Sequence, residues 1–445
     1  MIKSKDNFIK QFLTSNKFLV NNKVRISFLA FLFIVTFIVW RTNFSFFFMD
    51  EWDWLRDLAE GDFNIWKSHN EHFLPIMRIF YYFQINILKA SPLMMHYIML
   101  ILHTLVSFAF GYLIWLILKE NILSIAGTLA FMLHPFQYEN VLWNFQSQII
   151  LNVGFFLISL IFLKIFLEKR NVKNYYLSLF FTFVQAYCFG NGLILPILTT
   201  IFFILFKKKN LSLKYSIPYL VIFVFNLVIY KLFGSEKITS HTGPFSIKNI
   251  PSIIDYFSKA TFYNVSRSLT FIGNPCLRIA FIIFILFFSV YIFVLLHDLK
   301  TRKKVFPILV FSLFLYFTCF ILISITRFKM GFEQSFSYRY AYYYLIPIIL
   351  LCLIFIKYTY GKKQYKNIYP LLITSFTLTF SILATYRTLY YKNEVEARNR
   401  FNYQELKQYS IDKDYDPNLL LLHPYLTKDE ILQTSIKLNL INNED

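Results

Sequence analysis

VRISFLAFLFIVTFIVW, Val24–Trp40, is the stretch on which the fold turns. It is an unbroken apolar block whose only charge, Arg25, stands at its head. It follows a basic leader carrying Lys3, Lys5, Lys10, Lys17 and Lys23. The apolar core of a cleaved secretory signal runs to about 7–15 residues and ends at a small-x-small site. This block is longer and has no such site, so it is expected to be an uncleaved first transmembrane helix with the N-terminus in the cytoplasm.

The same pattern recurs outward along the chain. Further apolar blocks lie near 93–118, 121–134, 149–167, 175–189, 192–206, 216–233, 278–297, 305–326, 341–357 and 368–386. Most have the length of about 17–25 residues that crosses hydrocarbon as a helix, and those at 121–134 and 175–189 are the shortest. A strand crossing a membrane would alternate apolar and polar residues over about 10 positions, and no such alternation occurs. The expected fold is therefore all-α: a polytopic helical membrane protein of about eleven transmembrane helices. Composition agrees, with 57% apolar and 16% charged residues, against about 25% charged in soluble domains.

The net charge of +20 does not indicate nucleic acid, because the basic residues are bunched between apolar blocks. With the N-terminus inside, four of the five inner segments carry basic clusters: Lys169 to Lys173, Lys207-Lys208-Lys209, Lys300 to Lys304, and Lys362-Lys363 with Lys366. That is the positive-inside distribution, and it puts the C-terminus outside. Three segments follow: 1–23 cytoplasmic, 24–386 transmembrane with a large first extracytoplasmic loop, and 387–445 an extracytoplasmic polar tail. The four cysteines (Cys188, Cys276, Cys319, Cys352) have no ligand-like spacing, so no disulfide framework or zinc site is expected. There is no internal repeat, and charged residues within spans are nearly absent. Both weigh against a transporter, where repeats and intramembrane ionisable groups are expected.

The polar chemistry gathers in the outer segments. The first loop opens with Phe48-Met49-Asp50-Glu51-Trp52-Asp53-Trp54. An interfacial carboxylate that is partly desolvated becomes a better general base. On a helix, Asp50, Asp53, Trp54 and Asp57 would share a face; the bland alternative is an acidic helix start. His69, Glu71 and His72 follow, and could hold a metal or a phosphate or simply form a polar turn. In the next outer segment Glu139, Trp143 and Gln146 fall on one helical face, and Asn140, Asn144 and Gln148 on another. An aromatic beside amides suits a sugar, and equally an interfacial belt. Arg327, Lys329 and Arg339, with Tyr340, lie outside against the charge rule. Guanidinium forks match phosphate oxygens, although pairing with Glu333 or Asp50 would also explain them. Phe189-Gly190-Asn191-Gly192 is expected to be a tight turn.

This assembly resembles the GT-C superfamily, membrane glycosyltransferases that use polyprenyl-phosphate-linked sugars, such as the protein O-mannosyltransferases. Asp50-Glu51 carries the resemblance at the exit of the first span. Asn70-Glu71-His72, Glu139-Asn140 with Trp143 and Gln146, Asn191-Gly192 and Ser337-Tyr338-Arg339-Tyr340 are similar to blocks of a bacterial branch. The resemblance covers about residues 24–386 and not the tail. It implies a sugar donor on a polyprenyl phosphate and an acceptor hydroxyl on a glycan, lipid or protein. Asp50 would be the base, with Glu51 beside it, and configuration at the sugar would invert. Arg339, then Arg327, would stabilise the leaving phosphate. Glu71, His72, Glu139, Asn140, Trp143, Gln146 and Tyr340 would line the substrate site. Superfamily members differ in metal use, so a divalent metal is left open and no metal ligand is assigned. The implied location is the bacterial inner membrane, with membrane lipid and no nucleic acid as partner. A lipid-linked glycan polymerase or ligase, and a transporter or flippase of lipid-linked sugars, are the competing expectations.

Overall fold

A computed structural model describes residues 22–69, 73–206, 209–233, 247–270, 276–301, 321, 323–325, 329, 337–360, 368–412, 414, 415, 417 and 426–440. Glu71, His72 and Arg327, and most of the block at 305–326, lie outside the described residues. Those described form helices and no strand, as the apolar periodicity requires. In chain order the helices are α1 (Asn22–Trp40), α2 (Glu51–Ala59), α3 (Pro75–Tyr82), α4 (Pro92–Leu118), α5 (Asn121–Met132), α6 (Tyr138–Leu142), α7 (Ser147–Lys169) and α8 (Val172–Gln185). They continue with α9 (Ile194–Phe206), α10 (Lys209–Phe233), α11 (Ile250–Thr270), α12 (Leu277–Thr301), α13 (Ala341–Tyr360), α14 (Ile368–Ile411) and α15 (Lys428–Lys437).

Among the described residues, four stretches are long and apolar enough to cross a membrane: Pro92–Leu118, Asn144–Lys169, Leu213–Phe233 and Tyr338–Lys357. Val24–Trp40, Asn121–Met132 and Leu277–Val290 are shorter apolar helices. The chain is an integral membrane protein on this ground. At about 1.5 Å per residue, α5 and α8 extend only about 18–21 Å, less than the hydrocarbon core of about 30 Å.

The centre of the bundle is α4, packed against α1, α5 and α7, with α13 and α14 closing on α5. Gly111 permits the closest of these approaches. A Cβ there would stand 1.8 Å from Thr128 Oγ1 on α5, so any side chain would push the two helices apart. Several buried polar groups are paired across helices, as an apolar surrounding favours. Asn152 donates to the Gln185 carbonyl at 3.0 Å and accepts from the Tyr343 hydroxyl at 3.1 Å. Ser159, on α7, meets Ser178 and Thr182 of α8.

The two ends of the bundle differ. At one, Lys357 donates to the Leu118 carbonyl and pairs with Glu120 at 3.2 Å. The other, about 27 Å away along α13, holds the first loop, α6 and the turn Ser337–Tyr340.

Two features depart from the blocks expected from sequence. The first loop contains α2 and α3, tied by a buried ion pair between Arg78 and Asp57 at 3.1 Å and by Lys67, 2.8 Å from both Asp57 and Asp62. Beyond residue 386 the chain does not change structure where it changes polarity. α14 runs for 44 residues, because it has no glycine and its one proline, Pro370, lies in the first turn, where proline is tolerated.

Candidate functional site

The geometry begins with a strained residue. Met49 has φ 50°, a left-handed conformation uncommon outside glycine. It turns the chain sharply between Phe48 and α2. Three bonds hold the turn: Trp52 N–H donates to the Met49 carbonyl at 3.0 Å, Trp143 Nε1 to the Phe48 carbonyl at 3.1 Å, and Phe48 N–H to Glu51 Oε2 at 2.8 Å. The other oxygen of Glu51 accepts from the Tyr81 hydroxyl at 3.0 Å. Glu51 is 2% exposed, and burial pushes its carboxyl up to about 8 despite these donors. The neighbouring acids are thus separated in place: Glu51 sits inside, bracing the turn, while Asp50 lines a cavity.

That cavity has a volume of about 340 Å³ and is lined by Phe48, Met49, Asp50, Tyr138, Glu139, Leu142, Trp143, Arg339, Val395 and Arg398. It is of the size of a small-molecule site. Four residues singled out from sequence meet there: Asp50, Glu139, Trp143 and Arg339. Glu139 fixes the opposite wall, accepting from Arg339 N–H and from Ser337 Oγ, both at 3.0 Å. Its carboxylate therefore engages the backbone of Arg339. The guanidinium is held instead by Ser337, which accepts from Nε at 2.6 Å, and by the Trp143 ring, 5.7 Å from Cζ. Asn140 is buried and donates to the Tyr338 carbonyl at 3.1 Å, supporting this wall without lining the cavity. Gln146 and Tyr340 are buried elsewhere in the core and are not lining residues. Asp57, expected on the same face as Asp50, is buried against Arg78.

Sequence reasoning missed Arg398, Tyr138 and Val395. Tyr138 and Val395 are ordinary apolar-face residues of their helices. Arg398 and Arg400 are indistinguishable as letters in a polar stretch. Only the fold turns one into the cavity and leaves the other 51% exposed beside Glu396.

On the far side of Asp50, ligand atoms of Asp50, Asp53 and His69 all lie within 4.8 Å of one another. Two carboxylates and an imidazole form a mixed oxygen and nitrogen set that suits divalent zinc or manganese and leaves coordination positions open. The residues therefore fit a divalent cation, and of the three residues His69, Glu71 and His72 that sequence offered, His69 is the one among the described residues.

A second cavity, of about 460 Å³, lies between α5, α13 and α14. Its walls are apolar: Ala126, Ala130, Leu345, Ile349, Leu353, Phe376, Phe380 and Leu383 among them. From Leu345 to Ile356 it follows α13 for about 16 Å. Its polar end is His134, whose Nε2 is 3.2 Å from the Ser268 carbonyl. Arg267, 1% exposed, is stacked on Tyr338 at 4.2 Å and Phe136 at 5.2 Å.

No family model matches the chain, and no curated protein matches its sequence. Solved structures of the oligosaccharyltransferase of Archaeoglobus fulgidus do match. The complex with Zn and sulfate has a TM-score of 0.52 at 15% identity, over 90% of this chain and 58% of that one. The form tethered by a disulfide to an acceptor peptide containing the NVT sequon has a TM-score of 0.50 at 14% identity, over 93% and 60%. The chain spans less than two thirds of that enzyme, and at this identity the likeness is one of fold. The fold is GT-C.

Proposed function

We propose that the protein is a glycosyltransferase that moves a sugar from a polyprenyl-phosphate donor to an acceptor hydroxyl at the outer face of the membrane, with inversion. The observation that carries this reading is the meeting of Asp50, Glu139 and Arg339, drawn from three distant segments, around one cavity on a GT-C fold. The elongated apolar cavity alongside suits an isoprenoid chain, and it leaves the donor phosphate at the end of the bundle where the arginines stand. Asp50 accepts the proton of the acceptor hydroxyl as that oxygen attacks the anomeric carbon. Arg339 stabilises the charge that develops on the departing phosphate. Glu51 positions Asp50 by holding the Phe48–Asp50 turn, and Trp143 offers a ring face beside the sugar.

A divalent cation held by Asp50, Asp53 and His69 would add Lewis-acid stabilisation of charge. A carboxylate has two oxygens, so Asp50 can ligate with one and accept a proton on the other. The basic clusters between the apolar blocks of the sequence support a cytoplasmic N-terminus. The oligosaccharyltransferase likeness supports a lipid-linked donor, and its bound acceptor peptide makes a protein acceptor one of the arms to test.

The test is incubation of the purified protein with a panel of polyprenyl-phosphate and polyprenyl-diphosphate sugars, following release of the lipid phosphate. Release by the parent and not by Asp50→Asn is the expected result. Absence of release from every donor, with and without added manganese or magnesium, would overturn the reading.

A further inference from the structure

Arg398 reaches the polar cavity from the far end of the chain. It lies in the polar stretch of α14, and its guanidinium carbon is 3.7 Å from the centre of the Phe48 ring, in the turn that presents Asp50. Its Nε is buried without a hydrogen-bond partner. Among the described residues neither Arg398 nor Arg339 forms an ion pair. Arg400, two positions on, pairs with Glu396 at 2.8 Å. The stretch is also anchored. Asn43 N–H donates to Glu396 at 3.1 Å, Tyr409 donates to Asp429 on α15 at 2.8 Å, and α15 packs on α2 with Arg56 3.4 Å from Glu430.

A buried donor left unbonded is costly; Arg398 faces the charge of Glu139 but keeps its Nε unbonded, in a cavity that holds two guanidiniums beside two carboxylates. That arrangement fits an anion that arrives with the substrate and gains charge during the reaction. A sugar phosphodiester carries one negative charge. When the bond from the anomeric carbon to the phosphate oxygen breaks, its electron pair stays on that oxygen and the product is a phosphate monoester bearing a second charge. Each charge can take one guanidinium fork.

We infer that Arg398 is a second phosphate-binding arginine, contributed by the C-terminal polar stretch and acting with Arg339 on the lipid phosphate. This rests on the reading given under Proposed function. Arg339 is pre-set by Ser337 and holds the donor. Arg398, stacked on Phe48 and with its Nε unbonded, engages most strongly as the second charge forms. The product, a polyprenyl phosphate monoester, should therefore depend on Arg398 more than the donor does.

Binding of polyprenyl phosphate and of uncharged polyprenol in detergent separates the two claims. The parent should bind the phosphate more tightly than the alcohol. Arg398→Gln should weaken phosphate binding about tenfold or more and leave polyprenol binding unchanged, with Arg398→Lys in between and Arg400→Ala like the parent. Unchanged phosphate binding in Arg398→Gln overturns the inference while leaving the glycosyltransferase reading intact. Equal weakening for both lipids overturns it too, because Arg398 would then be a packing residue. A parent that does not distinguish phosphate from alcohol overturns the inference and removes support for the donor class.

Discussion

The two cavities lie side by side and are built in opposite ways. The apolar one is enclosed mainly by α5, α13 and α14, so most of its wall is the inward face of three helices. The polar one is assembled from a left-handed turn, a short helix, the entry to α13 and the polar stretch of α14. The first tolerates any residue of the right volume. The second depends on single atoms: the Glu51 oxygens that hold the Phe48 turn, and the Glu139 oxygen that holds Arg339. A lipid chain needs a shape, whereas a reacting phosphate needs positioned charges, and this contrast can be broken or sharpened by substitution.

The largest effect is expected in the polar cavity. Asp50→Asn keeps the size and cannot accept a proton at neutral pH. Sugar transfer should fall about 10²–10⁴-fold with donor binding retained; transfer at the parent rate would remove Asp50 from the chemistry. Arg339→Ala should come next, lowering kcat and raising KM together, since it touches the phosphate in both ground and transition states. A change in KM alone would make it a ground-state contact only.

Filling the apolar cavity sharpens the contrast from the other side. Ala130→Phe should raise KM for long-chain donors and leave short-chain analogues and kcat unchanged. If both chain lengths suffer equally, the cavity does not hold the lipid. Glu51→Gln tests the brace. With its carboxyl raised to about 8 by burial, from an ordinary value of 4.5, the folded state holds this proton more tightly than the unfolded chain. Stability from this group is full below about pH 4.5 and is lost as pH rises through about 8. In chelator-treated protein, Glu51→Gln should therefore flatten the fall in thermal stability between those values; an unchanged slope would locate it elsewhere. The smallest effect belongs to Arg56→Ala at the α2–α15 contact, where a partly exposed pair at 3.4 Å should cost no more than about 1 kcal/mol. A larger loss would show that α15 holds α2 in place.

Much of the fold was legible because hydrocarbon imposes length and apolarity on each crossing element. The helix of Pro92–Leu118 matches its apolar block almost residue for residue. Asp50, Glu139, Trp143 and Arg339 were legible as candidates, because polar residues gathered between apolar blocks stand out, and the fold brings them to one cavity. Their division of labour was not. Asp50 and Glu51 are equivalent letters, and only the positive φ of Met49 sends one into the cavity and the other into the core. Gln146 shares a helical face with Glu139 on paper, yet the helix breaks at Trp143, and Gln146 is buried. The change of polarity near residue 386 concealed the continuity of α14, since a helix ends at backbone breakers and not at charges. Arg398 was hidden with it.

That unbroken helix has a consequence for the membrane itself. Arg398 stands about 45 Å from Ile368 along the axis of α14, whose first part is apolar and whose remainder is polar. Asp50 stands at the start of α2, in the loop that follows α1, a helix of only 19 residues. In a thicker or thinner bilayer each helix adjusts its tilt to cover its own apolar length, and a long rod swings its far end further than a short one. The height of Arg398 relative to Asp50 should then shift with lipid chain length, which sugar transfer measured in vesicles of graded thickness would read out.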